Sequence, residues 1–145
     1  MQYQFHNASW AWAAGGVVST PEDLAIWIKA LTLGKLFNAK FYQHWLGSFV
    51  AIDKKQIIYY GYGIAKIIRD KSPTVFFHNG QLPGYNTYAM YYPDKNIIAI
   101  FWSNLGVNLD GIPPSDELMM LVYQQVFLKN LTPLTSLGNN TNQEK

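Results

Sequence analysis

A chain of 145 residues defaults to a single domain, and 49% hydrophobic residues against 14% charged ones exclude general disorder. The net charge of +2, with basic residues spread from Lys29 to Lys145, offers no clustered surface for nucleic-acid phosphates. There is no cysteine, so disulfides and thiolate metal sites are ruled out, and no apolar run approaches the ~20 residues that cross a bilayer. The opening residues, Met1-Gln2-Tyr3-Gln4-Phe5-His6, have neither the charged nor the apolar region of a signal peptide. Two expectations follow: a cytoplasmic chain, or one whose natural N-terminus is missing.

The first clear element opens at Ser19-Thr20-Pro21-Glu22-Asp23, where a hydroxyl cap, an N-terminal proline and two acids favour a helix start. Thr20 and Asp23 fit a loose capping box. Leu24, Trp27, Ile28 and Leu31 form its apolar face, and Gly34 supplies a C-terminal stop. A shorter helix is predicted from Asn38 to Leu46, burying Phe41 and Trp45 and ending at Gly47. Residues 56–69, rich in Ile and Tyr, read as β structure, followed by a turn at Asp70-Lys71-Ser72-Pro73. Further strands are expected at Thr74 to His78, Thr87 to Tyr92 and Ile97 to Ser103, the last two joined by Pro93-Asp94-Lys95-Asn96. Such short connections imply antiparallel pairing. The last strand is apolar throughout, so both its faces should be covered. A final helix opens at Pro113-Pro114-Ser115-Asp116-Glu117 and runs to about Lys129. Leu118, Leu121, Val122, Val126 and Phe127 are its expected packing face, and a polar, frayed tail follows from Thr132.

The segment from Phe77 to Asn86 carries the chemistry most open to reading. An aromatic strand ends in His78, Asn79 and Gly80 and enters a Gly/Pro loop, and Gly80 leaves room for another backbone to approach. Alone this is weak, because a single strand-end histidine is more often a hydrogen-bonded structural residue.

Several motifs in order carry a resemblance. Ala13-Ala14-Gly15-Gly16-Val17-Val18-Ser19-Thr20-Pro21-Glu22-Asp23-Leu24 resembles a segment of the serine β-lactamase-like superfamily, which comprises class C β-lactamases, D-alanyl-D-alanine carboxypeptidases and related esterases. Tyr62-Gly63-Ile64 resembles the family's Tyr-Gly-Trp strand start. His78-Asn79-Gly80-Gln81-Leu82-Pro83-Gly84-Tyr85 is similar to its His-x-Gly-Gly-x-Pro-Gly-aromatic pattern, the counterpart of Lys-Thr-Gly. Ile97 to Asn104 fits the strand after it, and the match extends from about Ala8 to Leu105.

The resemblance implies an α+β fold: an antiparallel sheet flanked by helices, the C-terminal part of a β-lactamase/transpeptidase-like sandwich. Residues 1–131 would form that part and 132–145 the tail. It also implies a serine hydrolase that works through an acyl-enzyme, without a cofactor, on a small-molecule, peptidoglycan-peptide or ester substrate in the periplasm or cell exterior. His78 would orient the substrate, Asn79 would bond a carboxylate, Gly80 would keep the strand accessible and the N–H of Gln81 would be an oxyanion donor. Gln81 departs from the family's usual glycine.

Two family motifs are missing from these residues. No serine among Ser9, Ser19, Ser48, Ser72, Ser103, Ser115 and Ser136 has lysine three positions on, and neither Tyr-x-Asn nor Ser-x-Asn occurs. The resemblance places both motifs N-terminal to this segment, so a C-terminal part of a longer hydrolase is expected, inactive alone. The alternative is a non-catalytic relic or interaction module that keeps the fold and binds a peptide-like or acyl ligand. A sheet lacking its N-terminal strands would expose an edge, so the isolated chain is expected to self-associate.

Other candidates have plainer readings. His6, His44 and His78 lack metal-ligand spacing, so no metal site is expected. Tyr3, Trp10 and Trp12 suggest a sugar-stacking platform, but core or cleft packing is the simpler expectation. Ser19 and Thr20 are explained by capping, Asp116 and Glu117 by the helix dipole, and the Tyr59–Tyr62 run by alternating sheet faces. Tyr85, just past the Pro-Gly turn, is a candidate to line a cleft.

Overall fold

A computed structural model describes residues 8–70, 72–109 and 111–127; the expected tail from Thr132, and Tyr3 and His6, lie outside them. A short helical turn, α1 (Trp12–Gly15), precedes α2 (Pro21–Thr32). Thr20 is extended and its Oγ1 accepts from the N–H of Asp23 at 3.1 Å, the cap that the sequence calls for. At the other end Gly34 takes φ +71°. The N–H of Lys35 then bonds the carbonyl of Ala30 (2.8 Å) and that of Gly34 bonds Leu31 (3.1 Å), so two terminal carbonyls find donors. Helix α3 (Ala39–Gly47) is capped by the Asn38 side chain, which accepts from the N–H of Phe41 at 3.0 Å.

Six strands follow in chain order in one antiparallel sheet: β1 (Val50–Ala51), β2 (Ile58–Tyr60), β3 (Ala65–Arg69), β4 (Ser72–Leu82), β5 (Tyr85–Tyr92) and β6 (Ile97–Ser103). The β region expected over 56–69 is two strands, divided where Gly63 turns the chain at φ +73°. Strands β4 and β5 outrun their expected bounds because they continue pairing to a two-residue turn, Pro83-Gly84, with Leu82 opposite Tyr85. Proline at its first corner and Gly84 at φ +85° at its second suit a type II turn. Helix α4 (Pro114–Phe127) closes the described chain.

The sheet is the middle of three layers. On one face Ile28 and Leu31 of α2 and Trp45 of α3 pack with Ile64 and Tyr91, joined by Phe76, Ala89 and Ile98. On the other Val75, Tyr88, Met90 and Tyr92 pack with Phe77, Ala99, Phe101 and, from α4, Met119 and Tyr123. Alternation along β6 sends Ile98 to the first layer and Ile97, Ala99 and Phe101 to the second, so its apolar run serves two helices.

Three expectations about packing need correction. Phe41 is 61% exposed, because Tyr42 and Trp45 already fill the inward side of a helix only nine residues long. The face that α4 turns to the sheet is Ser115, Met119 and Tyr123, spaced by four, while Leu118 and Leu121 stay exposed; the side chains of Val126 and Phe127 lie outside the description. Trp10 and Trp12 are exposed, Trp12 by 83%, so neither is core.

Candidate functional site

Strand β4 is paired on both sides only in its first half. Its register with β3 runs through Val75, Phe76 and Phe77 and stops opposite Ala65, where β3 begins. Its register with β5 continues through His78, Asn79, Gly80 and Gln81 to Leu82. Among the described residues no strand covers the other edge of His78–Leu82. That bare edge contains His78, Asn79, Gly80 and Gln81, the four substrate-strand positions singled out from the sequence.

The bonding phase of the sheet fixes which groups face it. Ile68 donates to Ile57 and Gly61 donates to Ile64, both at 3.0 Å, so residues 64, 66 and 68 turn their backbone groups toward β2. Both backbone groups of a residue in an antiparallel strand point to one side, and the side alternates. Ala65 and Ile67 therefore bond toward β4, as do Val75 and Phe77 toward β3. Continuing the alternation, the N–H and C=O of Asn79 and Gln81 point off the open edge, and those of His78 and Gly80 bond toward β5.

Side chains alternate as well. Phe76 lies on the α2/α3 face and Phe77 on the α4 face, so alternation puts Gly80 with Phe76 and Asn79 and Gln81 with Phe77. His78, Asn79, Gly80 and Gln81 are all exposed. A Cβ on Gly80 would stand 3.0 Å from Thr87 Oγ1, so a larger residue would press on β5. Tyr85, 52% exposed, starts β5 beyond the turn, at the far end of the edge from His78.

Two residues that sequence reasoning passed over belong to this neighbourhood. Tyr60 ends β2, in the cross-strand row Tyr60–Ala65–Phe77, which brings it within one residue of His78. Its phenol oxygen lies 2.9 Å from His78 Nε2, with ring centroids 5.9 Å apart. Asn86 is buried to 3% exposure, and its amide donates to the carbonyls of Leu105 (3.1 Å) and Gly106, tying the loop after β6 to the β4–β5 turn. A signal for Asn86 was present: it falls in register with the inward row Tyr88, Met90 and Tyr92. Tyr60 had none, since its partner is eighteen residues away.

The surroundings are mainly apolar and sparsely charged. Lys66 holds its amino group 4.2 Å from the centre of the Phe49 ring and 5.5 Å from that of Tyr59, and burial lowers its pKa. Burial raises the pKa of the Tyr88 phenol, with the Asp116 carboxylate adding to the effect. An open depression of about 560 Å³ lies between Tyr62 and the α3 side, lined by Lys40, Gln43, His44, Gly47 and Ser48, and His78 does not line it. Among the described residues no group of three or more His, Asp or Glu side chains is placed to hold a metal ion.

A family model described as Beta-lactamase matches residues 2–123. Among solved structures, the chain is similar to a penicillin binding protein from Bacillus halodurans, at 25% identity and a TM-score of 0.53. That match covers 69% of this chain and 30% of the other, so the chain spans less than a third of that protein's length.

Proposed function

Because the chain belongs to the beta-lactamase family, we propose that it is the substrate-strand portion of a serine hydrolase of the carboxypeptidase, β-lactamase or esterase type. The observation that carries this reading is the one-sided pairing of His78–Leu82. An extended acyl or peptide substrate can add to such an edge as a further strand, taking main-chain bonds from Asn79 and Gln81. In this reading the Gln81 N–H is one oxyanion donor, Gly80 keeps the approach clear and His78 orients the substrate. Asn79 contributes through its backbone, its side chain lying on the α4 face. Tyr85 would contact only a ligand long enough to reach the turn.

Nucleophile and base are the parts these residues do not contain, since neither S-x-x-K nor Y-x-N occurs in the sequence. Removing the nucleophile from an otherwise intact serine hydrolase leaves about 10³–10⁴-fold acceleration over water. Losing one oxyanion donor removes a further ~10²–10³. The expected result for the purified chain is therefore no turnover of nitrocefin or p-nitrophenyl acetate, and activity that co-purifies with the chain would overturn it. The missing motifs favour a second reading, a module that binds a peptide-like or acyl ligand without reacting. Both readings require the edge to bind. Titrating N-acetyl-D-alanyl-D-alanine into ¹⁵N-labelled protein should shift the Asn79 and Gln81 amides, and unmoved resonances from 78 to 82 would overturn a substrate strand there. No helix among the described residues is long and apolar enough to cross a membrane, and family membership supports an exported location. We further propose that the chain on its own self-associates through the free edge of β6.

A further inference from the structure

The contact between Tyr60 and His78 has a chemical direction. A neutral imidazole carries one N–H and one bare nitrogen, and the bond made at one nitrogen sets the role of the other. A phenol O–H is the more acidic donor and a bare imidazole nitrogen the more basic acceptor, so at 2.9 Å the favoured bond is O–H to Nε2. The proton of the ring must then sit on Nδ1. In water the free side chain prefers the opposite tautomer, with the proton on Nε2.

We propose that Tyr60 is a positioning residue that holds neutral His78 as the Nδ1–H tautomer, so that the ring nitrogen left to a ligand is a neutral N–H donor rather than a bare nitrogen. The proposal rests on the reading of His78–Gln81 as a substrate strand, and it specifies what His78 offers there. Neighbouring geometry supports it. Tyr60 reaches His78 at the level where β3 begins, so the phenol approaches from the side on which β4 loses its strand partner. Gly61, next in the chain, is locked against α3: a Cβ there would stand 2.6 Å from Ser48 Oγ, and that hydroxyl also accepts from the N–H of Tyr62 at 3.1 Å. The backbone that carries Tyr60 is thus fixed from the α3 side, and the phenol is aimed rather than free. A substrate carboxylate or carbonyl, both acceptors, is the chemistry that such an N–H would meet.

The test reads the imidazole directly. At about pH 8.5, where an ordinary imidazole is neutral, long-range ¹H–¹⁵N spectra of the whole chain distinguish the two tautomers. Wild type should show His78 mainly as Nδ1–H, and Tyr60→Phe should return it to mainly Nε2–H while His44 is unchanged in both. A wild-type His78 found mainly as Nε2–H overturns the proposal without recourse to any variant. An unchanged tautomer in a folded Tyr60→Phe protein also overturns it. Adding N-acetyl-D-alanyl-D-alanine separates the two claims. If the tautomer depends on Tyr60 but the peptide leaves residues 78 to 82 unmoved, the positioning role stands and the substrate-strand reading fails.

Discussion

Asn86 shows how one side chain can hold a site together from outside it. Its buried amide feeds two carbonyls of the loop at Leu105 and Gly106, and Gly106 in turn packs near Gly84 in the β4–β5 turn. Replacing Asn86 with alanine leaves those carbonyls without their donor, a loss of about 1–3 kcal/mol. Urea denaturation should show the midpoint fall with an unchanged slope, and an unchanged midpoint would contradict the role. Gly34 is the second such residue, for steric reasons. Its φ of +71° already disfavours a side chain, and a Cβ would sit 2.8 Å from the Tyr42 ring, whose hydroxyl bonds the carbonyl of Thr32 at 2.8 Å. Gly34→Ala should therefore destabilise by about 2 kcal/mol or more, measured the same way. Gly34 was legible in the sequence as a helix stop because that signal is local. The Tyr60–His78 pair was not, because its geometry depends on two strands meeting a third.

At the scale of elements, what was legible followed period and punctuation. Helices α2 and α3 and strand β6 were readable because caps, glycines and a tight turn bound them within a few residues. The packing side of α4 was misread because the helix is apolar around much of its girth, and hydrophobicity alone does not choose between Leu118 and Met119. The half-paired state of β4 was invisible for a different reason: it depends on where β3 starts, which Gly63 and the turn before Ala65 decide. The β1–β2 connection makes a prediction of its own. Asp53 accepts from the N–H groups of Ile58 (2.7 Å), Ile57 (2.8 Å) and Lys55 (3.2 Å). These bonds, led by the one from Ile58, hold its carboxyl below the ordinary aspartate value. A lowered folded pKa gives stability that is fully present above the unfolded value, about pH 4, and is lost as pH falls through the folded value. Asp53→Asn should remove that part of the acid dependence. The gap in urea midpoint between wild type and variant should narrow as the pH drops below about 4, and a constant gap would refute it.

For the whole molecule the two ends of the sheet are unequal. One end is β1, two residues long, which offers little to pair with. The other is β6, seven residues without a charge or a proline, whose described neighbour is β5 alone. Natural edges are usually blunted by shortness, charge, proline or a bulge, and β6 has none of these. The bonding phase that points Ala65 toward β4 carries through the registers to β6: Ile97, Ala99, Phe101 and Ser103 bond toward β5, and Ile98, Ile100 and Trp102 point outward. Two copies related by a two-fold axis at Ile100 can pair Ile98 with the partner's Trp102, and no like charges oppose each other along the seam. The expected outcome is a dimer by light scattering at micromolar concentration. Trp102→Lys tests the seam rather than the fold, since Trp102 is 48% exposed and a lysine there stays solvated in the monomer. The variant should move the average mass toward one chain while keeping the far-UV spectrum. A monodisperse wild-type monomer, or a dimer that the lysine leaves intact, would show that the edge of β6 is not what joins two copies.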